Sequence, residues 1–324
     1  MSIYPPFWHP SLARGFILDW DGVLADTRLD FGPIRARYFN GERVPLVEAA
    51  DMLEKDQRSD LEKDLYELEM EGARRASPVE GAHELLEWLD RQSVPWAVVS
   101  RNCRDSIEEA ARNCGIKLPR TVLSRDEGPL KPDPQALWSA AGAIGVEPSG
   151  CVMVGDFIFD LYGAVRARMR AVLVERAVPD WEKWADATFG KLTGFVRSLG
   201  CPEPMVPREY RGLAAERGRK WLEGAWALDA GLPDSAREVV HVAMKAASLG
   251  VGGLRVEEKS RLSLEQWERA PYLSLSRVDR PLGEVIAEVV GERYPQVNFS
   301  RDGVKMMLSG DPSSVEEELV SWMK

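Results

Sequence analysis

Gly15-Phe16-Ile17-Leu18-Asp19-Trp20-Asp21-Gly22 is the stretch on which the fold turns. Four uncharged residues run straight into an acidic turn, which predicts a short strand buried on both faces with a loop at its carboxyl end. Comparable runs recur at Val94 to Ser100, Val122 to Ser124, Cys151 to Asp156 and Ala171 to Glu175. Between them lie Val79 to Gln92, Asp105 to Cys114, Pro134 to Gly145 and Asp160 to Met169, whose apolar residues repeat with a helical period. Strands alternating with helices of that length form a parallel sheet wrapped by helices, so an α/β domain is expected to about Leu199.

One interval breaks the alternation. Thr27 to Ser77 holds no strand-like run, but Leu46, Val47, Ala50 and Leu53, then Leu61, Leu65 and Leu68, recur at three- and four-residue steps. That spacing predicts a helical insertion after the first strand. Farther on, Pro202, Pro204 and Pro207 exclude helix and central strand, so residues 201–207 read as a linker. Beyond it a smaller, mainly helical α+β unit is expected over 208–324. It would have helices at Tyr210 to Ala230 and Ser235 to Leu249, stopped at Gly231 and Gly250, and another at Leu282 to Val290. Val297 to Ser300 and Val304 to Leu308 read as a hairpin across Arg301-Asp302-Gly303, with Ser313 to Met323 as a last helix. A chain of 324 residues exceeds most single domains, consistent with two cores.

Charge narrows the partners. The formal net charge is -10, which argues against nucleic acid or an anionic membrane surface as a partner. No apolar run approaches the roughly 18 residues of a membrane span. The N-terminus lacks the basic start and apolar stretch of a signal peptide. Cys103, Cys114, Cys151 and Cys201 lack metal-ligand spacing. A cytoplasmic, reducing setting is therefore expected. His9, His83 and His241 are scattered, which gives no support to a zinc site.

Open parallel sheets bind ligands at the carboxyl ends of their strands. There the sequence places Asp19 and Asp21, then Ser100, Arg101 and Asn102, then Asp156, with Asp160 four residues later and Lys131 ahead of a helix in Leu130-Lys131-Pro132-Asp133-Pro134. Carboxylates converging at one sheet edge repel each other unless a cation neutralises them. Magnesium suits the case, because it takes oxygen ligands and retains water positions open to a phosphate. Lys131 and the Ser100 hydroxyl would then donate to phosphate oxygens, where charge gathers during phosphoryl transfer.

Asp19-Trp20-Asp21-Gly22-Val23-Leu24-Ala25-Asp26-Thr27 resembles the first signature of the haloacid dehalogenase superfamily. Ser100 fits its second signature, Lys131 its third, and Gly155-Asp156 with Asp160 its fourth, all in order. Within the superfamily the chain looks most like the phosphoglycolate-phosphatase group, whose Rossmann-like core carries a helical cap after the first strand. The resemblance implies a core at 1–26 and 78–200 and a cap at 27–77. It implies that Asp19 is the nucleophile and Asp21 the acid/base, the latter also giving the metal its backbone carbonyl. Asp19 and Asp156 would bind Mg2+ through their side chains, and Asp160 would hold Lys131 or a metal-bound water. Ser100, Asn102 and Lys131 would bind the phosphate of a small phosphorylated metabolite. Members that cleave carbon–halogen bonds lack the second aspartate, so Asp21 points to phosphate esters.

Two other outcomes are compatible with the same motifs: a sugar phosphomutase, or an interaction protein with a vestigial site. Arg101 and Asn102 can be read as plain loop residues, and Arg125 as a surface arginine. In the insertion, Asp30, Arg35, Arg37, Tyr38 and Arg43 are the polar residues nearest the first motif and can be read as selecting the substrate's leaving group or, by default, as a solvated helix face. The unit after Pro207 carries no motif from which we can name a family. Its basic cluster of Arg208, Arg211, Arg217, Arg219 and Lys220, interleaved with Trp221 and Trp226, reads as a solvated helix face, and a protein partner for this unit is an open expectation.

Overall fold

The computed structural model describes residues 3–177, 179–256, 260–299, 304 and 306–323. It divides into two compact units, Pro10–Pro202 and a second made of Met1–His9 with Glu203–Lys324.

In the larger unit the strands are β1 (Gly15–Leu18), β2 (Ala25–Asp26), β3 (Ser77–Pro78), β4 (Trp96–Val99), β5 (Val122–Leu123), β6 (Cys151–Gly155), β7 (Arg170–Val174) and β8 (Ala187–Phe189). Its helices are α1 (Gly32–Phe39), α2 (Leu46–Ala49), α3 (Lys55–Arg74), α4 (Ala82–Arg91), α5 (Arg104–Cys114), α6 (Pro134–Ala143), α7 (Ile158–Arg166) and α8 (Leu192–Gly200). Six strands form one parallel sheet in the order β5-β4-β1-β6-β7-β8. β1 is the middle of it because Phe16, Ile17 and Leu18 are wholly buried and no polar side chain needs water there. Ile17 lies opposite Ala97 on one side and Met153 on the other. The chain leaves β1 toward β4 and β5 and later returns to its other side as β6, so the strand order reverses beside β1. Asp19, the next residue, therefore sits at the point where doubly wound sheets form their crevice.

β8 has no counterpart in the sequence reading, because Ala187-Thr188-Phe189 is too short to show a period. Nor have β2 and β3, an antiparallel two-residue pair (Ala25↔Pro78, Asp26↔Ser77) that forms the stem of the insertion. Above the stem, α1, α2 and α3 enclose a small core of Ile34, Leu46, Ala50, Leu61 and Leu65. The leucines that gave the helical period are the ones that pack, as a helix presenting one apolar stripe requires.

The second unit contains α9 (Arg211–Arg217), α10 (Arg219–Trp226), β9 (Asp229–Gly231), α11 (Val239–Ser248), β10 (Gly253–Arg255), α12 (Leu264–Arg269), α13 (Leu282–Arg293), β11 (Met306–Met307) and α14 (Val315–Met323). Three expectations change here. The single helix over Tyr210 to Ala230 is broken at Gly218, whose φ of +82° leaves the helical region, and its last residues form β9. Gly231 is a strand residue, where a Cβ would come within 2.3 Å of Met307 Sδ. Among the described residues the hairpin pairing is absent. Asn298 bridges Gly253 of β10, whereas Met306 pairs with Ala230 of β9, so the two segments lie on opposite edges of a parallel sheet ordered β10-β9-β11. An Asp-Gly pair marks a local reversal but does not say which strands the flanks join; Arg301 to Gly303 fall outside the described residues.

Residues before Pro10 also move from their expected place in the core. Phe7 joins the apolar cluster of Tyr210, Trp226 and Leu254, the Arg219 guanidinium lies 4.7 Å above the Phe7 ring, and Trp8 N donates to the carbonyl of Met205 at 3.0 Å. An aromatic-rich N-terminus follows whichever core can bury it.

Candidate active site

The centre of the site is Lys131, a lysine that is 1% exposed. Its Nζ lies 2.8 Å from Asp19 Oδ1 and 2.7 Å from Asp160 Oδ1. Asp133 caps α6 by accepting from Gln135 N at 2.9 Å, which fixes where the loop carrying Lys131 begins its helix. Burial disfavours the ammonium, but Asp160 and then Asp19 outweigh it, so the lysine is held above its ordinary value and stays charged.

Carboxylate oxygens of Asp19, Asp156 and Asp160 lie within 4.8 Å of one another. Burial, followed by the charge of Asp160, pushes Asp19 well above the usual carboxylate range, with Lys131 offsetting only part. Asp156 is pushed up to about 7 by burial and by Asp160, against the pull of Arg176. The cluster is short of positive charge. Asp160 has both oxygens engaged, Oδ1 by Lys131 and Oδ2 by Phe157 N at 3.0 Å. It is thus built to hold the lysine, and the oxygens left for an ion are those of Asp19 and Asp156. A divalent cation fits this set: the donors are all oxygen, they converge, and Lys131 and Arg176 compensate their repulsion only in part.

Glycine makes the convergence possible. At Gly22, φ is +79° and a Cβ would sit 2.6 Å from the Asp156 carboxyl carbon. At Gly155 a Cβ would come within 2.2 Å of Asp160 Cβ. Any side chain at either position would push the carboxylates apart.

Asp21 stands outside the triad of carboxylates. Its Oδ1 accepts from Thr27 N at 3.1 Å and from the Thr27 hydroxyl, while among the described residues Oδ2 accepts nothing. Burial raises its carboxyl, the Thr27 hydrogen bonds opposing, so Asp21 retains a proton to higher pH than an exposed aspartate does. Thr27 closes the first motif in sequence, and its role as the partner of Asp21 becomes visible only once β2 turns the chain back.

Ser100 and Asn102 are both buried at the end of β4, beside β1 in the sheet. Asn102 N donates to Ser100 Oγ at 3.2 Å, which orients the hydroxyl and leaves its own proton available to donate. Arg101 is more than a loop residue. Its guanidinium meets Glu48 of α2 as a fork, at 2.8 and 2.7 Å, donates to the carbonyl of Lys131, and lies 4.5 Å from the Phe159 ring centre. Arg125 is not a surface arginine either: it pairs with Glu69 of α3, a carboxylate 3% exposed that also accepts from Cys103 N at 2.8 Å. Both arginines follow strand ends and tie the helical insertion to the sheet. A single sequence gives no sign of such a tie, because each partner lies dozens of residues away. Among the substrate-side candidates of the insertion, Arg37 and Tyr38 bond Asp64 of α3 at 2.6 and 2.9 Å and so serve its internal packing.

Residues 16–174 match the family model of haloacid dehalogenase-like hydrolases. The larger unit is a haloacid dehalogenase-like hydrolase domain. This hydrolase domain shares its fold with a hydrolase from Pseudomonas syringae, at 20% identity and a TM-score of 0.50, covering 58% of this chain and 99% of that one. The chain is 35% identical over 94 residues to validoxylamine A 7'-phosphate phosphatase of Streptomyces hygroscopicus subsp. limoneus, covering 28% of this chain and 44% of that protein. It is 27% identical over 103 residues to pyrophosphatase PpaX of Halalkalibacterium halodurans, covering 31% of this chain and 48% of that protein. The chain thus spans less than half the length of these curated relatives. No helix among the described residues is long and apolar enough to cross a membrane.

Proposed function

We propose that the hydrolase domain is a phosphatase acting on a small phosphate monoester, with Asp19 as nucleophile. The observation that carries this reading is the Asp19–Lys131–Asp160 array, in which a buried ammonium is held against the attacking carboxylate with Asp21 close by in sequence and separately hydrogen-bonded. An aspartate does not attack a phosphate dianion in water because the charges repel. Lys131 discharges part of that repulsion at Asp19 itself, and the Ser100 hydroxyl and Asn102 stand at the neighbouring strand end to donate to phosphate oxygens.

In this scheme Asp19 Oδ bonds to phosphorus as the bond to the leaving oxygen breaks. Asp21, whose burial favours the protonated form, gives a proton to the departing alkoxide. Asp21 then takes a proton from water, which attacks the phosphorus of the aspartyl-phosphate and frees Asp19 and inorganic phosphate. Thr27 keeps the Asp21 carboxyl turned for both transfers. Asp19 and Asp156 are the residues that would hold Mg2+, which when bound supplies a counter-charge for the phosphoryl oxygens. Named phosphatases among the relatives support the reaction class.

The test is magnesium-dependent hydrolysis of an aryl phosphate by the full chain. Turnover by the wild type that disappears with Asp19→Asn is the expected result; no turnover by the wild type, or an unchanged rate in the variant, overturns the proposal.

A further inference from the structure

Arg176 follows the end of β7, at a position that no motif singles out, and its guanidinium reaches Asp156 twice. Nη2 donates to Asp156 Oδ2 at 2.8 Å and Nε donates to the Asp156 backbone carbonyl at 3.0 Å. Holding the side chain and main chain of one residue in a single planar fork restricts rotation of that side chain. The Asp156 oxygen that Arg176 does not hold is Oδ1. The guanidinium also lies 5.7 Å from the Phe157 ring centre, so its own position is constrained. Lys131 is engaged with Asp19 and Asp160, which leaves Arg176 as the cation bonded to Asp156 among the described residues.

We infer that Arg176 is a positioning residue for the divalent cation, clamping Asp156 so that its other oxygen is presented to the ion and thereby setting the cation affinity of the site. The inference rests on reading Asp19 and Asp156 as the ligands. Two effects of the guanidinium oppose each other. Its positive charge repels a cation, while its hydrogen bonds orient the ligand. The Arg176 side chain is 48% exposed, so water and salt screen the repulsion, whereas the hydrogen-bonded geometry is not screened. Partners that orient a metal ligand typically contribute about 10- to 100-fold in metal affinity. The clamp therefore outweighs the charge.

Calorimetric titration of the full chain with Mn2+ separates the two effects without any turnover assay, using wild type, Arg176→Gln, Arg176→Lys and Asp156→Asn. The clamp predicts binding about 10-fold or more weaker in Arg176→Gln, with Arg176→Lys between it and the wild type because lysine keeps the charge but loses the fork. Binding by Arg176→Gln as tight as wild type, or tighter, overturns the inference. Loss of binding in Asp156→Asn together with an unchanged Arg176→Gln overturns it while leaving the ligand assignment standing; equal binding by wild type and Asp156→Asn removes both. Thermal melting of the metal-free variants checks that each is folded, and if Arg176→Gln does not fold, Arg176→Lys alone decides, by binding weaker than or equal to wild type.

Discussion

The six-stranded sheet of the hydrolase domain and the three-stranded sheet of the second unit are both parallel and both covered by helices, yet they differ in what they bury. The hydrolase domain buries Glu69, Lys131, Asp160 and Asp186. Among the described residues of the second unit the buried polar side chains are His9 and Gln266, and none is an acid, a lysine or an arginine. Gln266 is fully employed in packing: its amide donates to the carbonyls of Asp234 and Ala236 at 2.7 and 3.0 Å, and its oxygen accepts from Ser263 N at 3.0 Å. Taking a charge out of water costs several kcal/mol, so a fold keeps one inside only with close partners. Asp186 has such partners in Arg170 and Ala171 N, and Glu69 in Arg125 and Cys103 N, which makes them parts of the scaffold. The group around Lys131 is different, because three converging carboxylates meet only one buried ammonium and one half-exposed guanidinium, Arg176. That surplus of negative charge marks the place where the molecule gives up stability for chemistry.

The contrast can be broken most forcefully at Asp19 and Lys131. Asp19→Asn is expected to lower turnover of an aryl phosphate by at least about 10³-fold, yet to leave the metal-free melting temperature unchanged or raised, since it removes a repelling charge. Lys131→Met should also abolish turnover but lower stability by about 3–5 kcal/mol, because it leaves Asp160 buried without its cation. Denaturant unfolding distinguishes them; two variants with equal stability would show that the cluster is not under the strain described.

A second, smaller effect follows from pH. Asp156 is raised to about 7 in the folded chain, while in the unfolded chain it titrates near the ordinary carboxylate value. Between those values the folded state binds more protons than the unfolded state, so this contribution to stability falls as pH rises. Metal-free protein should therefore melt a few degrees lower at pH 8 than at pH 5, and Asp156→Asn should flatten the slope. A rising melting temperature over that window in the wild type, with the same slope in Asp156→Asn, would contradict it.

Much of the hydrolase domain was legible because its strands end in motifs. The runs of β1, β4 and β6 each stop at a candidate site residue, so those strand positions and the candidate site residues read off together. Asp19, Asp156, Asp160 and Lys131 converge because β1 and β6 are neighbours, and both runs were visible as uninterrupted apolar segments. Thr27, Glu48, Arg101 and Arg176 were not legible as site residues. Their partners are set by the return of β2, the placing of α2 and the end of β7, all of which are tertiary facts. The second unit was harder, since β9, β10 and β11 have two or three residues each and pair with strands far away in sequence, so no period could show. Gly231 illustrates the difficulty: a glycine after a helical pattern reads as a stop, and here it is the strand residue against which Met307 packs.

The second unit offers the matching control. Gln266→Ala leaves the carbonyls of Asp234 and Ala236 and the N–H of Ser263 without a partner, and is expected to cost about 1–3 kcal/mol of stability in that unit with no change in turnover. Loss of phosphatase activity in a folded Gln266→Ala would mean that the chemistry is not confined to the hydrolase domain. The smallest expected effect is at the helical insertion. Glu48→Gln weakens the fork with Arg101, a pair whose carboxylate side chain is 47% exposed, and should change kcat/KM by only a few-fold, with thermal stability essentially unaltered.

The central claim is that Asp19 carries the phosphoryl group between substrate and water. Rapid acid quench of the wild type during turnover, followed by mass analysis of the peptide containing Asp19, tests it directly. The account predicts a phosphoryl mass increment on Asp19, lost in Asp19→Asn; phosphate released with no increment at Asp19 at any quench time, or an increment on another residue, would contradict it.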